Sequence, residues 1–455
     1  MRSFALRLYG VLATLAQPFL RRKLRRRAKA EPGYAVAVEE RFGRYDAAAA
    51  GTGWCWIHAV SLGEARAAGV LIAELRRQLP GVPILLTHGT ATGREEGAKL
   101  LEEGDLQVWQ PWDAPDAVAR FLDRFRPRIG VLMETEVWPE LTAACNERRI
   151  PLVLANARLN AKSLAGAERL GWLARPAYSS LAAVWAQTEA DSHRLVSLGA
   201  KVTGVFGNLK FDATPDARQL AAAARLREQL PRPVVILASS RDGEERQLLE
   251  ALKRFGALAT PAVEQEAVRS IARRVQDVQW MIVPRHPQRF DEVAALVESY
   301  GFAVARRSAA GAPAAAEIWL GDSLGEMALY YGLADVALLG GSFEPLGGQN
   351  LIEAAACGCP VVMGPSTFNF AEAAELSLAA GASTRVPDIE QAVNAALKLV
   401  EKPERREAMA QAALAFANAN RGAAERTAAA LLAIAQAAEP MAEAAFGERA
   451  EPRLE

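Results

Sequence analysis

From Trp54 onward, short aliphatic and β-branched runs alternate with amphipathic stretches, and this rhythm constrains the fold more than any other feature of the 455-residue chain. A first series reads WCWIH at 54–58, PILLT at 83–87, RIGVLM at 128–133, PLVLA at 151–155 and AVWAQ at 183–187. A second reads PVVILA at 233–238, WMIVP at 280–284, EIWL at 317–320, DVALLG at 335–340 and PVVMG at 360–364. Runs with so little polar alternation suit strands covered on both faces. The stretches between them, such as 65–79 and 139–148, are long enough to cross back over a sheet as helices. The expectation is therefore α/β, with two Rossmann-like doubly wound domains facing a cleft. A polar, helical interval near 212–230 carries no Gly/Ser-rich linker, which divides the chain into domains at 31–211 and 212–440, with a polar tail at 441–455. In such sheets ligands bind beyond the carboxyl ends of the strands.

Residues 1–30 stand apart. An apolar stretch from Phe4 to Leu20, interrupted by Arg7 and Gln17, runs into the basic cluster RRKLRRRAK at 21–29. The stretch is borderline for spanning a bilayer, and Pro18 is expected to break a helix near its basic end. A short tilted span and an interfacial helix both fit, with the basic cluster held on the cytoplasmic side by anionic lipid. The expected location is the cytoplasmic face of a membrane. Lys+Arg and Asp+Glu each total 53, and this balance argues against a dedicated nucleic-acid binder. Cys55, Cys145, Cys357 and Cys359 have no zinc or disulfide spacing and read as small buried side chains; no metal site is expected.

Two carboxylate motifs follow strands of the first half. Ser61-Leu62-Gly63-Glu64 places Glu64 at a helix start, either as a general base or as the glutamate of an ordinary capping box with Ser61. Met133-Glu134-Thr135-Glu136 precedes Pro139, which suits a first helical turn, so one glutamate serves the helix dipole while the other faces a ligand. Lys210, in GNLKFD, is either a contact for an anion or a solvated surface lysine.

In the second half, Ser239-Ser240-Arg241 through Glu244 forms a candidate anion cradle, and Arg285-His286, between two prolines, a stiff basic turn. Gly321 through Glu326 and Gly340 through Glu353 are glycine-rich turns entering helices. Their amides suit a phosphate, and Glu353 suits ribose hydroxyls. The competing account is again capping, at Ser323 and Glu326. His58, His88 and His193 are scattered and read as structural.

Taken in order, HAVSLGE, METEVWP, LVLANARL, GNLKFD, VPRHPQRF, GDSLGE, GGSFEPLGGQN and MGPSTFNF resemble the 3-deoxy-D-manno-octulosonic acid (Kdo) transferases of Gram-negative lipopolysaccharide synthesis, over nearly the whole chain. The resemblance implies a GT-B fold with an N-terminal membrane-anchor helix, an acceptor-binding N-terminal domain and a CMP-Kdo-binding C-terminal domain. It implies inverting transfer of Kdo from CMP-Kdo to the tetraacylated lipid A precursor, at the inner membrane, without a metal or other cofactor. Residue by residue, it makes Glu64 the catalytic base and gives Glu134 and Lys210 roles in stabilising the transition state. It assigns Arg285, His286, Leu324, Gly325, Glu326, Asn350, Leu351, Ile352 and Glu353 to CMP binding, with Ser240 as a further candidate. Two positions depart from the family pattern, Ser239-Ser240-Arg241 for Ser-Thr-His and Gln349 for a histidine, and residues 257–276 look expanded. A nucleotide-sugar epimerase of the same fold, a glycosidase using Glu64 and Glu134, and a non-catalytic membrane scaffold are the alternatives.

Overall fold

The structure is a computed structural model that describes residues 2–46, 53–257, 274–309 and 316–447. Most of the expanded 257–276 stretch lies outside the described residues. The chain divides into two compact units, one of residues 1–212 and 421–455, the other of residues 213–420.

The sheet of the first unit has seven parallel strands: β1 (Cys55–His58), β2 (Ile84–His88), β3 (Leu106–Trp109), β4 (Ile129–Met133), β5 (Leu152–Ala157), β6 (Ala183–Ala186) and β7 (Val202–Val205), in the order β3-β2-β1-β4-β5-β6-β7. Strand order reverses between β1 and β4, so these two strands flank the crevice at their carboxyl ends. β1, β2, β4, β5 and β6 are buried at every position, as their continuous apolar sequences require. One face carries Trp56, Phe121, Phe125 and Leu154, and the other Ile57, Leu71, Ile72 and Val131. Each such fully buried aliphatic side chain contributes about 1.5–3 kcal/mol.

The second unit repeats the plan with β8 (Val234–Ser240), β9 (Gln279–Pro284), β10 (Val304–Arg306), β11 (Ile318–Leu320), β12 (Val336–Leu339), β13 (Val361–Met363) and β14 (Ser383–Arg385), ordered β10-β11-β9-β8-β12-β13-β14, all parallel. Its reversal lies between β8 and β12. There Gly340 has no room for a side chain, because a Cβ would fall 2.4 Å from the Ser239 carbonyl oxygen.

Two segments differ from expectation. The C-terminal helix Ala423–Gly447 belongs to the first unit, not to the second domain through residue 440. The Asp212 carboxylate accepts from the Gly422 and Ala424 amides at its start, and Ala423, Ala424, Ala428 and Leu431 pack among Ala65, Ala68 and Leu71. The helix also runs past Pro440, so the expected tail begins as helix, and 448–455 lie outside the described residues.

The N-terminal helix runs unbroken from Phe4 to Ala28 with Pro18 inside it. Contacts on both sides of Pro18 outweigh its local cost. Gly10 sits so close to the body that a Cβ would lie 2.7 Å from both Glu140 Oε1 and Pro115 Cγ, and Leu24 is buried with Tyr34 and Phe42. Between them, Gln17 donates to Asp116 at 3.2 Å. Pro115, Asp116 and Glu140 open the helices that follow β3 and β4. The N-terminal helix therefore lies along the edge of the sheet where the strands end. Its outer face exposes Phe4, Leu8, Val11, Leu12, Leu15 and Phe19, at helical spacing. No helix among the described residues is long and apolar enough to cross a membrane.

Candidate active site

Glu64 stands in the first turn of the helix Leu62–Gln78, just past β1. Ser61 caps that helix, its hydroxyl accepting from the Glu64 amide at 3.4 Å and donating to Glu64 Oε1 at 3.1 Å. The box is incomplete, because Glu64 Oε2 accepts from the Val60 N–H at 2.9 Å, one residue before the cap. Burial pushes the Glu64 carboxyl up to about 7; the Val60 and Ser61 hydrogen bonds oppose this, and Glu134 and Glu136 add to it. A carboxyl poised near neutrality accepts a proton more readily than an ordinary surface glutamate.

Glu134, immediately past β4, is 3% exposed and has φ 57°, a left-handed conformation that is strained for a residue with a Cβ. Its amide donates to Ala155 O and its carbonyl accepts from the Arg158 amide, which fixes the strained turn between β4 and β5. The carboxylate meets Arg158 Nε at 2.8 Å and Lys210 Nζ at 3.2 Å. One of Glu134 and Glu136 was expected to serve the dipole of the helix Pro139–Glu147, yet neither accepts from its first amides. Asp113 takes that role, accepting from the Glu140 and Leu141 amides at 3.0 and 2.8 Å.

Lys210 is positioned by a polar chain that sequence reading missed. Asn156 Oδ1 accepts from the Leu209 amide, its carbonyl accepts from Gln187, and Gln187 accepts from Asn208, whose own Oδ1 accepts from the Lys210 amide. Asn156 is also left-handed, at φ 52°, where the register of β5 against β6 shifts. The only signals for Arg158 and Asn156 were their places in LVLANARL. His58 and His88 are buried against Thr87 and Ala59, and burial holds both neutral by lowering their pKa values to about 3 and about 4.

In the second unit the predicted residues lie past the ends of adjacent strands. Arg285 and His286 follow β9, the Arg285 amide donating to Ser240 O at 3.0 Å. His286 is exposed, and partial burial with Arg241, Arg285 and Arg289 nearby lowers its pKa. Leu324 and Gly325 are exposed beyond β11. Glu326 pairs with Arg307 at 3.0 Å, and Ser323 bonds Glu326 and Tyr330 instead of capping, because the helix starts only at Met327. Asn350 caps Leu351–Ala356, accepting from the Ile352 amide and donating to Glu353 Oε1 at 3.0 Å. The Leu351 and Ile352 side chains are buried, so only their backbone faces the turn.

The expected anion cradle at 239–244 is occupied from within. Glu244, fully buried, accepts from the amides of Arg241 at 2.9 Å, Gly341 at 2.7 Å and Phe343 at 3.1 Å. Ser240 is also fully buried, and its hydroxyl donates to Glu245, which pairs with Arg289. Neither the Ser240 hydroxyl nor the Gly341 and Phe343 amides are left for a ligand in this arrangement. Of the four cysteines, Cys357 is half-buried and the rest buried, all as free thiols.

The family profile of 3-deoxy-D-manno-octulosonic-acid transferase (kdotransferase) matches residues 37–213, and that of glycosyl transferases group 1 matches residues 305–416. A 3-deoxy-D-manno-octulosonic acid transferase of Bordetella pertussis is 46% identical over 412 residues, covering 89% of this chain and 93% of the relative. The chain belongs to the Kdo transferase family. The corresponding enzyme of Haemophilus influenzae is 30% identical over 425 residues, covering 92% of this chain and 96% of the relative. The Kdo transferase is thus an enzyme and a glycosyltransferase, which sets aside the epimerase, glycosidase and scaffold readings. Among solved structures, a Rickettsia africae glycosyltransferase has a TM-score of 0.54 at 12% identity over 84% of this chain and 98% of its own. A Neisseria meningitidis UDP-GlcNAc 2-epimerase has 0.53 at 18% identity over 83% and 99%. At these identities the likeness is one of fold, two parallel-sheet α/β domains of the GT-B kind.

Proposed function

We propose that this Kdo transferase uses CMP-Kdo as donor and a phosphorylated, acylated disaccharide, the tetraacylated lipid A precursor, as acceptor, with inversion. The observation that carries the proposal is the placement of Glu64, with its carboxyl near neutrality, beside the Glu134–Lys210 pair. Glu64 takes the proton of the acceptor hydroxyl. The oxygen forms a bond to the anomeric carbon of Kdo as the bond from that carbon to the CMP phosphate oxygen breaks, and CMP leaves with the electron pair. Glu64 then gives the proton to solvent. Lys210, held by Glu134, meets the negative charge of the leaving phosphate or of the Kdo carboxylate. Donor binding falls to Arg285, His286, Leu324 to Glu326 and Asn350 to Glu353, and no metal is assigned a role.

The N-terminal helix supports a membrane-bound reading in which the enzyme lies on the bilayer. Its apolar stripe and the basic run at 21–29 match an in-plane interfacial helix. Because that helix follows the edge where Glu64 and Glu134 stand, docking it brings the acceptor-binding unit to a lipid substrate on the cytoplasmic face. Mass spectrometry of the lipid A precursor after incubation with detergent-solubilised enzyme and fresh CMP-Kdo tests the reading. A product heavier by Kdo units is expected; an unchanged lipid with folded enzyme and intact donor refutes it.

A further inference from the structure

Arg41, in the 3₁₀ turn Val38–Phe42, is 3% exposed, and among the described residues it pairs with no carboxylate. One amino group donates to Gly89 O at 3.0 Å, while Nε is enclosed without an acceptor. The guanidinium carbon lies 3.8 Å from the centroid of the Trp109 ring and 5.8 Å from that of Tyr34. These rings hold the guanidinium in place but accept only weakly from its N–H edges. A buried cation left so is costly unless a counterion reaches it.

The neighbouring charges add to that cost. Arg94 lies 4.8 Å from the same Trp109 centroid, and Arg27, exposed on the N-terminal helix, lies 4.4 Å from that of Tyr34. Burial, opposed by Tyr34 and Glu40 and helped by Arg94 and Arg27, lowers the Arg41 pKa to about 10. Glu40 is the nearby carboxylate, but its Oε2 accepts from Arg94 at 2.9 Å and from the Trp109 amide at 2.8 Å. Three guanidinium groups therefore gather at the Tyr34 and Trp109 rings, and the nearby carboxylate is already engaged by Arg94.

The cluster also stands close to the chemistry. Gly89, which receives the Arg41 hydrogen bond, follows β2, and the Gly89 and Thr90 amides donate to Val60 O. The N–H of Val60 donates to Glu64. A single residue thus separates the anchor of Arg41 from the proposed base. We infer that Arg41, flanked by Arg27 and Arg94, binds a phosphate group of the lipid acceptor. A phosphate dianion supplies both the missing acceptors and the missing charge, and a guanidinium fork fits it better than an ammonium does. The inference rests on the reading of the acceptor as a phosphorylated lipid. Phosphate chemistry is shared by membrane phospholipids, so the test separates the two sources.

The experiment compares the full-length, detergent-solubilised enzyme with Arg41→Lys and Arg27→Gln, using the phosphorylated acceptor and its enzymatically dephosphorylated form. Arg27 is exposed, so its substitution keeps the test open even if Arg41→Lys folds poorly. Selectivity for the phosphorylated acceptor, read from kcat/KM, is expected to fall about tenfold in Arg41→Lys and severalfold in Arg27→Gln through acceptor KM. Equal losses on both acceptors overturn the inference, as does unaltered selectivity in both variants. Co-sedimentation with phosphatidylglycerol vesicles addresses the other source. Loss of vesicle binding in both variants, with acceptor selectivity retained in detergent, assigns the cluster to phospholipid and overturns it. Equilibrium binding of the phosphorylated lipid without CMP-Kdo separates the two readings. Weaker binding by the variants supports the phosphate site even if no transfer is seen, whereas intact binding refutes the site alone.

Discussion

The two units place a glutamate at the same topological position, one turn past the central strand beside the reversal of strand order, and use it in opposite ways. Glu64, past β1, is half-buried and accepts from one amide and one hydroxyl. Glu244, past β8, is fully buried and accepts from three amides that tie the start of its helix to the glycine-rich turn after β12. Burial raises both carboxyls, but more amides pull back on Glu244. The same residue at the same place keeps free lone pairs, as the proposed base requires, where it has few partners and is only half-buried. It becomes a brace where both oxygens are held by buried amides.

Breaking each member should give different failures. Glu64→Gln is expected to lower turnover by about 10²–10⁴-fold while the protein stays folded and still binds CMP-Kdo. In the wild type, kcat/KM should rise with pH through about 7, as Glu64 loses its proton and becomes able to accept one. Stability should run the other way. A carboxyl whose pKa is raised on folding contributes stability that is present below its unfolded value, about 4.3, and lost as pH rises through about 7. Glu64→Gln should flatten both profiles, and near wild-type turnover in this variant would remove Glu64 as the base. Glu244→Ala leaves three enclosed amides without an acceptor and should cost about 3 kcal/mol or more in denaturant unfolding. Unchanged stability with loss of CMP binding alone would mean that Glu244 serves the ligand and not the fold.

Lys210→Ala should reduce turnover about tenfold to a hundredfold, since it removes one positive charge and leaves Glu134 to Arg158. Lys210→Arg should recover part of the loss. Equal activity in all three proteins would make the Glu134–Lys210 pair structural only.

The same contrast explains what was legible in the sequence. Ten strands were read close to their observed limits because central strands of a parallel sheet are buried on both faces and spell unbroken apolar runs. The four missed, β3, β7, β10 and β14, are the two edges of each sheet, only partly buried in patterns too mixed to stand out. Glu64, Glu134 and Lys210 could be singled out because they follow readable strands or sit in recognisable motifs, and the structure sets them near one another. The polar chain through Asn156, Gln187 and Asn208 could not be read. Its members lie 21 to 53 residues apart and meet only when β5, β6 and the turn at 209–212 are assembled. Nor does sequence show which donors will be satisfied internally, which is how Glu244 came to fill the cradle expected for a ligand.

The smallest expected effect sharpens the comparison at the backbone. Asn156 and Ser239 are both left-handed residues at register shifts, one in each sheet. Asn156 uses its side chain to hold Leu209, whereas the Ser239 hydroxyl makes only a long contact with Met327 Sδ at 3.9 Å. Relief of backbone strain should therefore exceed the lost contact in Ser239→Gly, raising stability by about 0.5–1 kcal/mol after the added freedom of the unfolded chain is counted. Asn156→Gly should relieve similar strain yet destabilise, because the buried Leu209 amide loses its acceptor. Thermal unfolding of the two variants side by side checks this. If both stabilise, the bond to Leu209 does not hold the turn that carries Lys210; if both destabilise, the bend at Ser239 depends on its side chain after all.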